Sequence, residues 1–485
     1  MKRNLLSLAV ATALAATAGS ALALDRATTA GIAGPQQIRM SGATAQDSGI
    51  IAFMRRACQA GTLDSYSNSG VNAFSCFFTA LGKNVVVQKE SNAGSQNGIN
   101  PVRDNTTLTF LNVATIDTTN CTTSAVQASV APIAPDTLGL PAYTKWTCAG
   151  AGMTTSAVPD IGFSDVDPAV FGESSTGLTV ASPNQLLFGV PVTVTLRNAL
   201  QTAQGLTSGS ETAANVPSLT NEQVAGIYSQ WIVTGDQLGV AANDIFVARR
   251  GDTSGTQKAA ELFFLNQGVN LANSPMAFPA PAFGKGPKAF ATGDCNTLGA
   301  GDIFAGNGTG DVRSCLNELN TNTKFGVGLI SMESVQHASG TTSAPGWRYI
   351  KLNNVMPTVA NAIKGLYPYW TEQALIKRTA LAGDASSVYT QFASNLGSSG
   401  IMAILNKSFS VFSDANMGGS GEPAGKQQTG LMGPPTIDGT TTCPGTFAAN
   451  GTTADSQPLN IASKAVNGAV DNRIKPAIVQ CAPRG

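Results

Sequence analysis

Charge, histidine and long apolar runs are all scarce in this chain. Only 12% of the 485 residues are charged, and 29 basic side chains balance 29 acidic ones. That balance gives no electrostatic case for nucleic acid or an anionic membrane as partner. The single histidine, His337, stands beside Ala338, Ser339 and Gly340 and reads as a plain loop residue. With one histidine and no CxxC pair, a zinc site or a Cys–His nucleophile has nothing to build on. Beyond the first residues no apolar stretch is long enough to span a bilayer.

What is present begins with an export leader. Lys2 and Arg3 supply a positive start, residues 5–16 an apolar run, and Ala21-Leu22-Ala23 a small-residue cleavage site before Leu24. Residues 1–23 are therefore a predicted signal peptide, and losing them leaves 27 basic against 29 acidic residues. The first cysteine, Cys58, is far from the cleavage point, so no lipid anchor is expected. The mature chain is expected in the periplasm or secreted, without membrane insertion. All eight cysteines lie in it, and an even number in an exported chain reads as disulfides. Pairing neighbours closes local loops: Cys58 with Cys76, Cys121 with Cys148, Cys295 with Cys315 and Cys443 with Cys481.

The mature length exceeds one compact core, and strand-like and helix-like segments alternate, which argues α/β and two domains. Residues 49–60 place Ile50, Ile51, Phe53, Met54 and Ala57 at helical spacing. Asn84-Val85-Val86-Val87-Gln88 is a buried-strand candidate, and residues 187–196 read as a long strand interrupted by Gly-Val-Pro. Thr220 opens a helix, with Gln223 completing a capping box. Residues 326–330 are strand-like, and residues 332–336 look like a helix start. Two regions break the pattern. Residues 99–159 are rich in Thr, Asn, Ala and Pro and suggest a disulfide-tied insertion; residues 418–485 suggest an irregular tail folded back on the body.

The most informative stretch is Arg249-Arg250-Gly251-Asp252-Thr253-Ser254-Gly255-Thr256. It follows the β-type run Ile245-Phe246-Val247-Ala248 and leads into Ala259, Ala260, Leu262, Phe263 and Leu265, which Gly268 closes. The pattern is strand, polar loop, helix, with Ser254 placed to cap the helix and Gly255 in its first turn. Free N–H groups, the helix dipole and a guanidinium together make an anion site. Read alone, the same loop fits an ordinary surface turn with a solvated Arg pair. Three further strand-end turns carry small residues, hydroxyls or a carboxylate: Ser41-Gly42-Ala43-Thr44, Gly94-Ser95-Gln96-Asn97-Gly98 and Asp160-Ile161-Gly162-Phe163-Ser164-Asp165. Open α/β sheets bind ligands at such strand ends.

In order and spacing these four motifs resemble the periplasmic phosphate-binding proteins of ABC-type uptake systems. That family has a Gly-Ala-Thr turn, a Gly-Ser-x-x-Gly turn, an Asp-Phe-Gly-Ala-Ser-Asp motif and Arg-x-Asp-Gly-Ser-Gly-Thr. Residues 219–228 and 325–330 are similar to further family segments, so the resemblance covers roughly residues 38–98 and 160–380. It implies a two-lobed periplasmic-binding-protein fold of type II. Lobe I would be 24–192 with 366–485, carrying the insertion at about 99–159, and lobe II would be 193–365.

The resemblance also implies roles. Thr44 and Ser95 would donate from lobe I, although Ser91 aligns nearly as well as Ser95. Arg250 would hold the anion, Asp252 would orient Arg250 by a salt link, and Ser254, Gly255 and Thr256 would donate at the helix start. Asp165 would accept from a protonated oxyanion and so reject fully ionised sulfate. Thr44 and Asp165 could equally serve as plain cap or turn residues. The implied function is an exported solute-binding protein, a monomer and no enzyme, that clamps phosphate or a similar oxyanion for an ABC permease and needs no cofactor. Thr44 is followed by Ala45-Gln46 where the family has Phe-Pro, so the first wall of the pocket departs from the pattern. The alternative is a secreted or surface protein using the same fold for adhesion, assembly or scavenging. A phosphatase lacks a nucleophile–base pair or metal cluster.

Overall fold

The computed structural model describes residues 24, 26–92, 94–132, 137–265, 287–332, 334, 346–363, 366–398, 401–402, 405 and 431–432. The predicted signal, Gly268, His337, Cys443, Cys481 and most of the predicted tail lie outside the described residues. The helix start expected at 332–336 is also mostly outside them. Among the described residues no helix is long and apolar enough to cross a membrane.

Two mixed sheets organise the chain. The larger has nine strands, in the order Leu178–Ala181, Ala374–Arg378, Ile161–Ser164, Gln37–Gly42, Lys83–Glu90, Val71–Phe78, Asp64–Asn68, Tyr143–Cys148 and Cys121–Gln127. Its centre is parallel: Gln37–Gly42 runs alongside both Ile161–Ser164 and Lys83–Glu90. The smaller sheet has five strands, in the order Ile303–Gly306, Ile245–Arg250, Phe325–Gly328, Pro191–Thr193 and Trp347–Tyr349. Here the inner strand Ile245–Arg250, next to the edge, is parallel to both neighbours. Largely buried on both faces, Lys83–Glu90 and Ile245–Arg250 carry unbroken apolar segments, Val85-Val86-Val87 and Ile245-Phe246-Val247-Ala248.

Between the sheets run short connecting strands. Gln185–Gly189 pairs with Trp370–Glu372, Ile330–Ser331 and Leu431–Met432. The last pairing brings part of the tail back onto the body. The strand expected at 187–196 is interrupted at Gly-Val-Pro as expected, into Gln185–Gly189 and Pro191–Thr193, but its end is corrected: residues from Val194 onward form the helix Val194–Ala203. Thr193 stops the strand because its hydroxyl accepts from the Leu196 N–H as an N-cap. The β-branched Val194 and Thr195 suggested strand, and the cap overrides them.

The helix Asp47–Ala57 shows how sequence sets packing. Asp47 in the first turn and Arg55 and Arg56 in the last complement the helix dipole. Ile50, Phe53 and Met54 are buried, and the Phe53 ring sits 4.1 Å from that of Phe392 on the helix Gly383–Asn395. The capping box at Thr220 and Gln223 is present, as expected.

The region 99–159 joins the large sheet rather than standing apart. Tyr143–Cys148 and Cys121–Gln127 extend its edge three and four strands beyond Lys83–Glu90, while Leu108–Leu111 pairs with Thr154–Ala157. Three of the expected disulfides are formed, Cys58–Cys76, Cys121–Cys148 and Cys295–Cys315. Cys121 and Cys148 face each other across the antiparallel edge pair. Replacing both by alanine should lower stability by about 2–4 kcal/mol, because the bridge restrains an otherwise open edge. Denaturant unfolding followed by circular dichroism measures this, and an unchanged midpoint would mean that strand pairing alone holds the edge.

Candidate functional site

The parallel strands of both sheets end at the same place. Gln37–Gly42 runs into Ala43-Thr44, Lys83–Glu90 precedes Gly94-Ser95-Gln96, and Ile161–Ser164 runs into Asp165. From the smaller sheet, Ile245–Arg250 runs into residues 251–254 and the helix Gly255–Leu265, while Ile303–Gly306 runs into Asn307 and the helix Thr309–Thr321. Carboxyl ends of parallel strands are where backbone N–H groups and short side chains are free to face a ligand.

The two sets of loops touch. The Gln96 N–H donates to the Thr253 carbonyl at 3.1 Å. A Cβ on Gly255 would lie 2.4 Å from Ser95 Oγ and 2.7 Å from Asp165 Cβ, so glycine is what permits the approach. The Thr256 hydroxyl donates to Asp165 Oδ2 at 3.4 Å. Asp165 is thus contacted from both sheets.

Asp165 is 4% exposed. Its N–H donates to Ser95 Oγ at 3.0 Å, and the Gln373 amide approaches Oδ1 at 3.5 Å. The Thr371 hydroxyl donates to its carbonyl. Burial raises the carboxyl above its usual 3.8; Arg250 first, then Ser95, Gln373 and Thr256, pull it down without cancelling the rise. The carboxyl is therefore held in an under-compensated state within electrostatic reach of a guanidinium.

Arg250 is buried, and its guanidinium donates to the Thr309 hydroxyl at 3.0 Å and the Asn307 carbonyl at 2.8 Å. These bonds come from the start of the helix after Ile303–Gly306, so two elements fix its direction. Arg249 points elsewhere: it donates to Asp252 Oδ1 at 2.8 Å and to the Arg250 carbonyl at 3.0 Å. The expected salt link from Asp252 to Arg250 is corrected accordingly, since Asp252 pairs with Arg249. Successive residues of a strand face opposite ways, and both sides of this inner strand are covered, so Arg249 is buried as well. The role expected of Ser254 is corrected too. Its carbonyl accepts from the Lys258 N–H, but its hydroxyl is buried without a hydrogen-bond partner and caps nothing.

The structure brings Ser95, Asp165, Arg250, Ser254, Gly255 and Thr256 together. Thr44 lies on the adjoining turn, tied in by the Ala43 N–H to the Phe163 carbonyl at 2.9 Å, and is half-buried. Ser91, the alternative to Ser95, instead accepts from Lys89 at 2.9 Å and donates to Asp47 at 3.0 Å.

Sequence reasoning missed five residues. Lys89 is 1% exposed and its ammonium donates to the carbonyls of Gly42 and Glu90, bracing the turns on either side. Its signal was a lysine after the Val85-Val86-Val87 run, next to the strand's last residue. Thr371 and Gln373 announce themselves as polar residues between Trp370 and Ala374, and Asn307 and Thr309 as part of a Gly-rich strand-to-helix turn.

A carboxyl raised by burial opposes folding once ionised. Its cost is absent below the unfolded pKa near 3.8 and grows as pH rises through the higher native value. Asp165→Asn should therefore raise the ligand-free Tm at pH 7, with the gain vanishing below about pH 3.8. A gain of equal size at both pH values would assign the effect to packing.

No family model matches the chain, and no curated protein matches it. Among solved structures, a substrate-binding protein from Clostridium perfringens with bound phosphate is 14% identical. It covers 76% of this chain and 96% of its own, with a TM-score of 0.41. An ABC-type phosphate transport receptor from Vibrio cholerae is 15% identical over 76% of this chain and 96% of its own, with a TM-score of 0.39. PstS from Borrelia burgdorferi is 11% identical over 83% of this chain and 100% of its own, with a TM-score of 0.34.

Proposed function

We propose that this protein is an exported receptor that clamps a protonated tetrahedral oxyanion, phosphate in the first place, between two lobes and delivers it to an ABC permease. The observation that carries the reading is the buried Asp165, contacted from both sheets and within electrostatic reach of Arg250. The motif resemblance supports the choice of phosphate. Lobe I is taken as residues 24–192 with 366–485 and lobe II as 193–365, a division that leaves Gln185–Gly189 and Trp370–Glu372 in lobe I and Ile330–Ser331 in lobe II.

In this reading Arg250 supplies the positive charge, with Ser254, Gly255 and Thr256 donating beside it and Thr44 and Ser95 donating from the opposite lobe. The buried hydroxyl of Ser254, which has no partner of its own, suits a ligand oxygen. Asp165 acts by exclusion. An ionised carboxylate repels any anion that cannot give it a proton, so hydrogen phosphate is accepted and sulfate refused. Once Asp165 is itself protonated, that refusal is lost, and discrimination falls as pH drops through its native pKa.

Calorimetric titration with phosphate and sulfate tests the assignment. Arg250→Ala should weaken phosphate binding by about 2–5 kcal/mol, as for other desolvated charge pairs. Arg249→Met should cost about 1–3 kcal/mol of stability through lost packing and leave phosphate affinity unchanged. Asp165→Asn should admit sulfate while changing phosphate affinity less. Equal losses from the two arginine variants, or sulfate binding by the unmodified protein, would refute these roles.

A further inference from the structure

A cavity of about 220 Å³ lies on the large sheet, and none of the residues assigned to the oxyanion site lines it. Its roof is the first turns of the helix Asp47–Ala57, with Ser48, Ile50 and Ile51 facing down. Its floor follows the strand register. Lys145 pairs with Ser65, Ser65 with Phe74, and in the adjacent row Asn72 pairs with Lys89. The strand Tyr143–Cys148, contributed by the region 99–159, widens the sheet beyond the edge of the helix and closes the cavity with Lys145.

Four polar side chains lining it, Ser48, Ser65, Asn72 and Lys145, make no side-chain hydrogen bond or ion pair among the described residues. Ser65 as a whole is 3% exposed, and Ser48, Asn72 and Lys145 are half-buried. Lys89 and Asp47, at the other end, satisfy each other at 3.6 Å. The net positive charge of the cavity is therefore Lys145, about three strand spacings, or roughly 14 Å, from Lys89 across the sheet.

We propose that this cavity is a second binding site, for a small hydroxylated monocarboxylate the size of a sugar acid. One ammonium without an arginine fork suits a carboxylate of single charge. Ser48, Ser65 and Asn72 are placed to pair with ligand hydroxyls, and Phe74 and Ile51 to cover the carbon skeleton. The site is distinct from the oxyanion loops and does not depend on their assignment.

Saturation-transfer NMR and calorimetry with D-galacturonate as probe, and galactose as its neutral counterpart, test the proposal. The unmodified protein should bind galacturonate saturably in the millimolar range and galactose at least about tenfold more weakly. Lys145→Gln should lose at least about tenfold in galacturonate affinity, and Ser65→Leu, which fills the cavity, should lose binding altogether. Thermal unfolding verifies that each variant is folded, and an unfolded Ser65→Leu leaves Lys145→Gln to decide. No saturable binding by the unmodified protein, equal binding by Lys145→Gln, or equal affinity for galactose would overturn it.

Discussion

A carboxyl group buried between two sheets is the constraint on which the rest of this structure depends. Taking Asp165 out of water is costly, and Arg250, Ser95, Gln373 and Thr256 repay only part of that cost. A fold selected for stability alone would place a neutral residue there. The group instead sits where Gly255 lets the two sets of loops close on one another. The arrangement makes sense as a selectivity device in the proposed receptor, where the missing compensation is a proton supplied by the ligand.

Around that carboxyl the supporting elements are cross-braced by hydrogen bonds. Arg250 is braced by Asn307 and Thr309, and the turns of the large sheet are braced by Lys89. Burial pushes the Lys89 ammonium down from its usual 10.5, with Asp47 and Glu90 opposing the fall. Its bonds to Gly42 and Glu90 tie together two strand ends on which ligand turns are mounted. Such bracing holds donors in place before a ligand arrives, which lowers the ordering cost of binding.

Much of this was legible in the sequence. The α/β class, the helix at Asp47–Ala57, the Thr220 capping box and the three described disulfides follow from local rules that tertiary structure left undisturbed. The turns that meet between the sheets were legible because strand-end turns with small residues are short and contiguous. What failed was anything decided by which face of a strand a side chain takes. Asp252 lies two residues beyond Arg250 yet pairs with Arg249, because the loop turns back toward the far face of the strand. Ser254 has the composition of a cap, but its hydroxyl is turned into the buried interface. The edge strands at 121–127 and 143–148 were hidden by exposed, Thr-rich faces that lack the apolar alternation of a half-buried strand.

The central claim is that residues from both sheets hold one tetrahedral anion. A crystal structure grown with phosphate tests it most directly. The account predicts tetrahedral density within hydrogen-bond distance of Arg250 and Thr256 on one side and of Asp165 with Ser95 or Thr44 on the other. Phosphate held by one sheet alone, or bound away from Asp165, would contradict it.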